Sequence, residues 1–384
     1  MNLQLPKLRV IISGGGTGGH IFPAIAIANA LKEMNAANEF LFVGATGRME
    51  MEKVPAAGYK IEGLNISGMQ RKLTLNNFLL PFRIIKSILK AKKIIKIFSP
   101  DFAIGVGGYA SGPLLYAATA LNIPSLIQEQ NSFAGITNKI LSKRVLKICV
   151  AYEGMENYFP ESKILMTGNP VREEMIRIEG KRQDALNFFG LDSGRKTVLV
   201  IGGSLGALTI NESIASGLSE FSKRGFQLIW QTGLAFAPKA IKLINDLGAK
   251  GFYTFSFIQR MDYAYAAADV IISRAGASSV SELALIGKPA ILVPSPNVAE
   301  DHQTKNAMAL VNKNAAILIP DADAKNNLVR ATMNVLNNES LQKSLSENIS
   351  RLAVKNSAEK IAQEVYRIIK KTNPDSYREI TNNH

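Results

Sequence analysis

Short runs of apolar residues that are typical of buried strands recur along the chain, and helical patterns separate them. The first run, Leu8–Ser13, is followed by apolar residues at helical spacing, Ile25, Ala28 and Leu31, and then by a second strand pattern at 39–43. Further strand patterns of this half fall at 102–106 and 125–128. A strand, a helix and another strand in this order begin a doubly wound α/β sheet.

The same order of elements restarts in the second half of the chain. A strand pattern at 197–201 precedes a helical pattern at 210–221, and later strand patterns fall at 227–231, 251–255, 270–273, 290–293 and 316–319. We therefore predict an α/β protein with two Rossmann-like, doubly wound parallel-sheet domains that face a cleft. The N-terminal domain spans 1–171 and takes back a C-terminal helix at about 357–372, the C-terminal domain spans 172–356, and residues 373–384 form a loose tail.

Glycine-rich loops stand between strand and helix in both domains. They read Gly14-Gly-Gly-Thr-Gly-Gly-His20, Gly107-Gly-Tyr-Ala-Ser-Gly112 and Gly202-Gly-Ser-Leu-Gly-Ala207. In doubly wound sheets, ligands bind beyond the carboxyl ends of the strands. Glycine there allows close backbone approach, and helix N-termini supply N–H donors and partial positive charge. The three loops therefore predict a ligand that carries phosphates.

Other phosphate and hydrolase motifs fit less well. The first loop matches the dinucleotide fingerprint, but no acidic residue follows the second strand, where the ribose would need one. No loop carries the phosphate-binding motif of ordinary ATPases. The segment Gly202–Gly206 matches a nucleophile elbow, but Asp301 and His302 are adjacent in sequence, and a catalytic triad needs the acid behind the imidazole. The simpler interpretation of Ser204 is a helix-entry hydroxyl that binds backbone or phosphate.

Metal-binding patterns are scarce. The single cysteine, Cys149, and the three histidines argue against a cysteine-based zinc cluster and a histidine-rich site. Asp321-Ala-Asp323 imitates a D-x-D metal motif, but it stands between a strand and a helix, so we expect a capping turn. We therefore predict no metal site and no required cofactor.

Positive charge is concentrated in the first domain. The 384 residues carry 45 Lys and Arg against 31 Asp and Glu, a net charge of +14. Residues 63–152 hold twelve of the basic residues and two of the acidic ones, which is +10 of that excess. Excess positive charge indicates an anionic partner. Because no nucleic-acid motif accompanies it, we expect a membrane surface or a phosphorylated substrate and no nucleic acid.

This basic segment is also apolar. Between Ile84 and Ile95 a helical repeat of apolar residues runs beside a stripe of lysines, and we expect a core-packing helix with a solvated basic face. The stretch 73–82 is apolar without a helical pattern, so membrane contact and burial both remain open. No uncharged apolar run reaches the roughly 18 residues of a spanning helix, and we expect a cytoplasmic protein with peripheral membrane contact. The candidate membrane patch is Leu73, Leu75, Phe78, Leu79, Phe82, Arg83 and Lys86.

Seven motifs in one order along the chain resemble those of the MurG family, which adds N-acetylglucosamine (GlcNAc) to lipid I in peptidoglycan synthesis. Each motif alone is weak, but the ordered set is highly specific and covers nearly the whole chain. The motifs are Gly15-Gly-Thr-Gly-Gly-His-Ile-Phe-Pro23, Gly107-Gly-Tyr-Ala-Ser-Gly-Pro113, Gln128-Glu-Gln-Asn131, Gly168-Asn-Pro-Val-Arg172, Gly202-Gly-Ser-Leu-Gly-Ala207, Ser273-Arg-Ala-Gly-Ala-Ser-Ser-Val-Ser-Glu282 and Asp301-His-Gln-Thr-Lys-Asn-Ala307.

The resemblance implies a GT-B fold and an inverting glycosyltransferase. It implies transfer of GlcNAc from UDP-GlcNAc to the C4 hydroxyl of undecaprenyl-pyrophosphoryl-MurNAc-pentapeptide (lipid I), which gives lipid II and UDP. The implied partners are UDP-GlcNAc, lipid I, the anionic cytoplasmic face of a bacterial inner membrane, and other cell-wall and divisome proteins. Two alternatives stay open: another UDP-sugar-dependent lipid glycosyltransferase of the diacylglycerol type, and a non-catalytic UDP-sugar-binding cell-wall scaffold.

The resemblance also implies three catalytic residues. His20 is the candidate base, or else it positions the acceptor or its diphosphate. Asn131 binds GlcNAc or orients the acceptor hydroxyl, or else it only forms a turn. Glu282 accepts hydrogen bonds from the ribose hydroxyls, or else it is an exposed helix charge.

Further site residues follow from the same resemblance. Arg172 is a candidate diphosphate clamp, because a guanidinium pairs with phosphate through two hydrogen bonds. Leu205 departs from the Gln that many members carry and so removes one polar contact. The implied UDP-GlcNAc site is Thr17, Gly18, Gly19, Asn131, Arg172, Ser204, Ile258, Ala277, Ser278, Ser279, Val280, Ser281, Glu282 and Gln303. The implied acceptor-diphosphate site is Gly18, Gly19, His20, Tyr109 and Ser111.

Overall fold

The computed structural model describes residues 5–66 and 80–374. Four residues of the candidate membrane patch, Leu73, Leu75, Phe78 and Leu79, lie outside the described residues, and so do positions 375–384 of the predicted tail. The chain divides into two compact units, which we call unit 1 (Met1–Val171 with Asn356–His384) and unit 2 (Arg172–Lys355).

Unit 1 is built on a parallel sheet of seven strands. They are β1 (Arg9–Ser13), β2 (Glu39–Ala45), β3 (Lys60–Leu64), β4 (Phe102–Gly105), β5 (Ser125–Glu129), β6 (Lys147–Val150) and β7 (Ile164–Met166). The order across the sheet is β3-β2-β1-β4-β5-β6-β7. The helices of this unit are α1 (Gly18–Met34), α2 (Glu50–Ala56), α3 (Leu80–Phe98), α4 (Ser111–Ala120), α5 (Ile136–Leu141) and the C-terminal α15 (Ser357–Thr372).

The strands of unit 1 are apolar on both faces because helices cover both sides of the sheet. Val10 and Ile12 of β1 belong to a core that includes residues of α1 and α15. Ile11 points to the opposite face and belongs to a core with residues of α3 and α4. Successive strand residues face opposite sides, so a parallel sheet buried on both faces needs a continuous apolar run. This is why the centre of the strand, Val10, Ile11 and Ile12, is apolar without interruption in the sequence.

Unit 2 repeats the architecture with six parallel strands. They are β8 (Thr197–Ile201), β9 (Gln227–Gln231), β10 (Phe252–Phe255), β11 (Val270–Ser273), β12 (Ala290–Leu292) and β13 (Ile317–Leu318), in the order β10-β9-β8-β11-β12-β13. Its helices are α6 (Glu173–Ile176), α7 (Arg182–Phe189), α8 (Leu208–Lys223), α9 (Ala237–Leu247), α10 (Met261–Ala267), α11 (Ala277–Ile286), α12 (His302–Val311), α13 (Ala324–Asn337) and α14 (Glu339–Ser350).

The strand order fixes where each unit can bind a ligand. In unit 1 the order reverses between β1 and β4, and in unit 2 between β8 and β11. Such a switch point leaves a crevice beyond the carboxyl ends of the two strands, because their following helices lie on opposite faces. The glycine-rich loops stand at these strand ends, so both sheets direct them to their ligand-binding edges.

Three strands of unit 1 are absent from the sequence prediction. β3 and β7 form the two edges of the sheet, and β3 carries the exposed residues Lys60 and Glu62 between half-buried ones. β6 has four residues and β7 has three. Runs this short, or this polar at an edge, carry too little periodicity to separate from loop sequence.

Helix α3 differs from the predicted core-packing helix in one respect. Ala91, Ile94 and Ile95 are buried, but Ile85 and Leu89 are exposed by 55% and 60%. The apolar repeat of the sequence therefore contains two stripes, one in the core and one facing outward. Among the described helices, none is long and apolar enough to cross a membrane.

Candidate active site

A buried carboxylate accepts hydrogen bonds from the first glycine loop of unit 1 and from the end of β2. Glu50 of α2 is 1% exposed, and its two oxygens accept the N–H groups of Gly16 and Ala45 at 2.8 and 2.9 Å. A Cβ on Gly15 would overlap that carboxylate, so the loop sequence and Glu50 require each other. Beyond this anchor the loop turns into helix α1, and Thr17 is its exposed N-cap residue.

The second glycine loop packs directly on the first. The Gly15 N–H donates to the Gly107 carbonyl at 3.3 Å, and a Cβ on Gly108, which has a φ of 88°, would overlap the Gly15 carbonyl. The predicted acceptor residue Tyr109 is 46% exposed beside these loops. Ser111 differs from the prediction, because its hydroxyl is buried near Gly105. The residue as a whole is 0% exposed.

His20 lies half-buried in the first turn of α1 and contacts an amide. Its Nδ1 is 2.8 Å from Oε1 of Gln130, the residue that follows β5. The Gln130 side chain is 1% exposed, and its Nε2 donates to the Val106 carbonyl at 2.7 Å. The candidate base is therefore held by the buried side chain of Gln130, which stands at the carboxyl end of β5.

Asn131 is positioned by a second buried carboxylate. Glu129 is 2% exposed and accepts hydrogen bonds from the backbone N–H of Asn131 at 3.1 Å and from its Nδ2 at 3.2 Å. The same carboxylate accepts the Gly135 N–H and Nδ2 of Asn138. Four donors surround this one carboxylate and hold the segment after β5 in place. The side chain of Asn131 is half-exposed within this segment.

The third glycine loop opens unit 2 and stands between β8 and α8. Ser204 is exposed on it, and Leu205 is 87% exposed. Gln231, at the end of β9, donates from Nε2 to the Gly203 carbonyl at 3.0 Å and accepts the Ile258 N–H on Oε1 at 2.9 Å. One buried amide thus joins the loop that carries Ser204 to the segment that carries Ile258.

Helix α11 brings together most of the residues predicted to bind UDP-GlcNAc. It begins at Ala277 after the extended residue Gly276, and its first turns contain Ser278, Ser279, Val280 and Ser281. Val280 is buried, and the Ser278 hydroxyl is buried as well. The first N–H groups of a helix have no partner within the helix, so the N-terminus of α11 is suited to an anion independently of these side chains.

Glu282 lies one turn further along α11 and is not an exposed helix charge. The Tyr265 hydroxyl donates to its Oε2 at 3.1 Å. Burial raises the pKa of the Glu282 carboxyl above its ordinary value, and the charge of Arg172 and the Tyr265 hydrogen bond oppose that rise. Arg172 therefore lies within electrostatic range of Glu282, as two groups of one nucleotide site would.

Gln303 of helix α12 contacts the backbone that follows β11 and β12. Its Oε1 accepts the N–H groups of Ala275 at 3.2 Å and Ser295 at 2.9 Å. This fixes the amide so that its NH₂ group is the end directed away from those backbone donors. Gln303 is half-exposed, which leaves it suited to donate to a sugar hydroxyl.

The first carboxylate of the D-x-D segment, Asp321, contacts other residues of unit 2. Asp321 forms an ion pair with Arg274 and accepts a hydrogen bond from the Thr209 hydroxyl at 3.0 Å. Asp321–Asp323 forms a 3₁₀ turn directly before α13, and Asp323, the N-cap residue of that helix, makes no side-chain capping hydrogen bond. Within residues 5–66 and 80–374, no group of three or more His, Cys, Asp and Glu side chains is arranged to hold a metal ion.

Five buried or half-buried polar residues act at these edges and are absent from the predicted set. They support predicted residues instead of facing the ligand edge themselves. Three of them, Glu129, Gln130 and Gln231, end or follow a strand, and a polar residue in such an apolar context is the available sequence signal. They are Glu50, Glu129, Gln130, Gln231 and Tyr265.

Two doubly wound parallel sheets, each with glycine loops and helix N-termini at its switch point, are the architecture of the GT-B fold. Models of the glycosyltransferase family 28 N-terminal and C-terminal domains match residues 10–150 and 197–365. The chain belongs to glycosyltransferase family 28, and the predicted fold class is confirmed.

Curated relatives match this chain over nearly its full length. A protein of Parabacteroides distasonis is 55% identical over 365 residues, which are 95% of this chain and 99% of the relative. A protein of Cytophaga hutchinsonii is also 55% identical, over 94% of this chain and 97% of the relative. Both are named UDP-N-acetylglucosamine–N-acetylmuramyl-(pentapeptide) pyrophosphoryl-undecaprenol N-acetylglucosamine transferase.

A solved structure agrees with these matches. The crystal structure of Acinetobacter baumannii MurG superimposes with a TM-score of 0.76 at 29% identity, over 96% of this chain and 100% of that one. A UDP-GlcNAc 2-epimerase of Neisseria meningitidis, bound to UDP-GlcNAc, has a TM-score of 0.65 at 14% identity, a likeness that concerns the fold alone. The predicted resemblance to the MurG family is therefore confirmed.

Proposed function

We propose that the chain transfers GlcNAc from UDP-GlcNAc to the C4 hydroxyl of lipid I and so produces lipid II and UDP. The observation that carries this proposal is the 55% identity, over nearly the whole of both chains, to transferases named for this reaction. The glycine loops of both units stand at the ligand-binding edges of their sheets, which agrees with one phosphorylated substrate for each unit.

The reaction is a displacement at the anomeric carbon. The C4 oxygen of the acceptor forms a bond to C1 of GlcNAc from the face opposite UDP, and the C1–O bond to the diphosphate breaks. The electron pair of that bond leaves with UDP, and the C4 hydroxyl proton passes to a base. We assign the base to His20 and the orientation of the acceptor hydroxyl or GlcNAc to Asn131, which Glu129 holds in place.

Unit 2 is assigned the donor. Arg172 and the positive end of the α11 helix dipole would offset the charge of the diphosphate, and Ser204 would donate a hydrogen bond to it, which supports a reaction without a bound metal. Glu282 would accept hydrogen bonds from the ribose hydroxyls. The Tyr265 hydroxyl and the charge of Arg172 both favour the ionised carboxylate that this role needs. The backbone near Ile258 would contact the uracil ring of UDP-GlcNAc, and Gln303 would donate hydrogen bonds to GlcNAc hydroxyls.

Helix α3 supports peripheral attachment to the cytoplasmic face of the inner membrane. Phe82, Ile85 and Leu89 stand one turn apart and are exposed by 65%, 55% and 60%. Lys86 is exposed beside them. Apolar side chains that enter the acyl boundary and lysines that meet anionic head groups are the usual elements of such an attachment.

The decisive experiment measures UDP release from UDP-GlcNAc with a lipid I analogue, with diacylglycerol, and without acceptor. The proposal expects release with the lipid I analogue alone. Release with diacylglycerol alone would favour the other lipid glycosyltransferase, and UDP-GlcNAc binding without release in any arm would favour the scaffold.

A second measurement concerns the base. His20→Ala should lower turnover by about 10²–10⁴-fold, the usual contribution of a general base, and leave the affinity for UDP-GlcNAc nearly unchanged. Near-normal turnover would remove His20 from this role, without affecting the assignment of the overall reaction.

A further inference from the structure

The orientation of the Gln130 amide is determined by its surroundings. Its Nε2 faces the carbonyl oxygens of Val106 at 2.7 Å and Gln128 at 3.3 Å. Carbonyl oxygens only accept hydrogen bonds, so the NH₂ group of Gln130 must lie on that side. The opposite end of the amide, Oε1, is then the atom that faces His20 Nδ1 at 2.8 Å.

A closed ring of buried amides fixes this arrangement further. Nε2 of Gln130 also contacts Oε1 of Gln128, and Nε2 of Gln128 donates to Oδ1 of Asn169 at 2.9 Å. Nδ2 of Asn169 returns to the Gln130 carbonyl at 2.9 Å. The three residues are exposed by 2% or less. Each of these contacts pairs a donor with an acceptor, so turning the Gln130 amide over would oppose like groups at several points.

We propose that Gln130 is a positioning residue that holds His20 as the Nδ1–H tautomer. Because Gln130 Oε1 only accepts, His20 Nδ1 must donate, and the lone pair of the neutral ring then lies on Nε2. Nε2 is the atom that takes the acceptor proton, and this consequence rests on the proposed function. The tautomer itself does not.

The group that positions His20 is the neutral amide of Gln130. In a catalytic triad, the group in this position is a carboxylate. The two buried carboxylates near this edge are engaged elsewhere: Glu50 accepts the Gly16 and Ala45 N–H groups, and Glu129 accepts the donors around Asn131. Gln130 therefore orients the imidazole without adding a negative charge beside it. Its effect should be on the position and tautomer of the ring, and hence on kcat.

The tautomer can be observed directly in the full-length protein. The chain has three histidines, His20, His302 and His384, so ¹⁵N labelling of histidine gives few ring signals, and His20→Ala assigns one set. The neutral ring of His20 should show a protonated Nδ1 and an unprotonated Nε2. Gln130→Met fills a similar volume without an acceptor and should lose that pattern, whereas Gln130→Glu keeps an acceptor and should retain it.

Kinetics with the same variants test the consequence. Gln130→Met should lower kcat at least tenfold, within the roughly 10²–10⁴-fold contribution of a general base, with little change in KM for UDP-GlcNAc. Gln130→Glu should recover part of kcat. The control is Asn38→Ala, which removes another buried amide of unit 1, bonded to Leu8 and Tyr366, and should change neither the His20 signals nor kcat.

Each outcome separates the two proposals. If His20 carries its proton on Nε2 in the unchanged protein, or keeps the Nδ1–H pattern in Gln130→Met, the positioning role is overturned. Full turnover by Gln130→Met, where His20→Ala has lost turnover, would overturn it as well. If the unchanged protein releases no UDP with a lipid I analogue, the proposed function fails, while the ring signals still decide the tautomer.

Discussion

The Tyr265 hydroxyl donates a hydrogen bond to Oε2 of Glu282 at 3.1 Å, across the contact between α10 and α11. Tyr265 is 2% exposed. Burial and the neighbouring carboxylate raise the pKa of Tyr265 well above its ordinary value, so the hydroxyl remains a donor. This bond favours the charged form of Glu282 and fixes one of its two oxygens.

Tyr265→Phe should therefore make donor binding more sensitive to acid. Burial already raises the pKa of Glu282, and loss of the hydroxyl removes one of the interactions that oppose this rise. As pH falls, Glu282 would protonate earlier in the variant, and the affinity for UDP-GlcNAc would fall at higher pH. Calorimetric titration from neutral to mildly acidic pH measures this. Tyr253→Phe, which loses a bond to the Gly190 carbonyl, is the matched control and should behave like the unchanged protein.

Glu282→Gln should weaken UDP-GlcNAc binding by about 1–3 kcal/mol, the scale of a hydrogen bond that involves a charged group. The amide has one acceptor oxygen and presents its NH₂ group to a donor. The loss should appear with UDP-GlcNAc and with uridine, because the role is assigned to the ribose. Equal affinities of variant and unchanged protein for both ligands would refute the ribose assignment.

The sheet could be predicted where strands are buried on both faces. β8, β9 and β11 have the bounds that the apolar runs indicate, since a parallel strand between helices must be apolar throughout. β3 could not, because exposed charged residues alternate along it, and β7 could not, because it has only three residues. Helix α3 shows the same limit: periodicity identifies a helix, but it does not say which of two apolar stripes is buried.

At the candidate site, the sequence indicates the residues that stand in loops and helix N-termini, since glycine and polar residues mark them. For the residues that act through others, the sequence shows a polar residue in apolar surroundings but not the residue that it contacts. Glu50 meets Gly16 across 34 positions, Gln130 meets His20 across 110, and Tyr265 meets Glu282 across 17. These pairs arise from the strand order, which places distant strand ends side by side.

Glu50→Gln should loosen the first glycine loop. The carboxylate accepts two backbone N–H groups, whereas a glutamine can accept one and must turn its NH₂ group toward the other. We expect a loss of about 1–3 kcal/mol in the free energy of unfolding and a fall in turnover. Chemical denaturation and the UDP-release assay measure these. The control, Glu52→Gln, changes an exposed glutamate of the same helix and should alter neither.

Replacing Phe82, Ile85 and Leu89 by Ser should release the protein from anionic vesicles. Full insertion of such a side chain is worth about 1.5–3 kcal/mol, so loss of three should reduce the bound fraction strongly. Sedimentation with vesicles of phosphatidylglycerol measures the effect, and UDP release with a soluble acceptor analogue should stay normal. Ile97→Ser, at the other end of α3 and 73% exposed, is the control. A triple variant that still sediments places the attachment elsewhere.

Asp262→Asn should lower the stability of unit 2 in a pH-dependent way. Hydrogen bonds from Arg260 and then Lys181 hold the pKa of Asp262 well below its ordinary value, against the opposing effect of burial. A carboxylate with a lowered folded-state pKa stabilises the protein above its unfolded pKa of about 3.9, and that contribution is lost as pH falls toward the folded value.

The difference in unfolding free energy between the unchanged protein and Asp262→Asn should therefore be full at neutral pH and shrink in acid below about pH 4. Denaturant titrations at several pH values measure it. Asp246→Asn, on the exposed side of α9, is the control and should differ little from the unchanged protein at any pH. A difference between Asp262→Asn and the unchanged protein that stays constant into strong acid would mean that the side chain acts through packing and not through its charge.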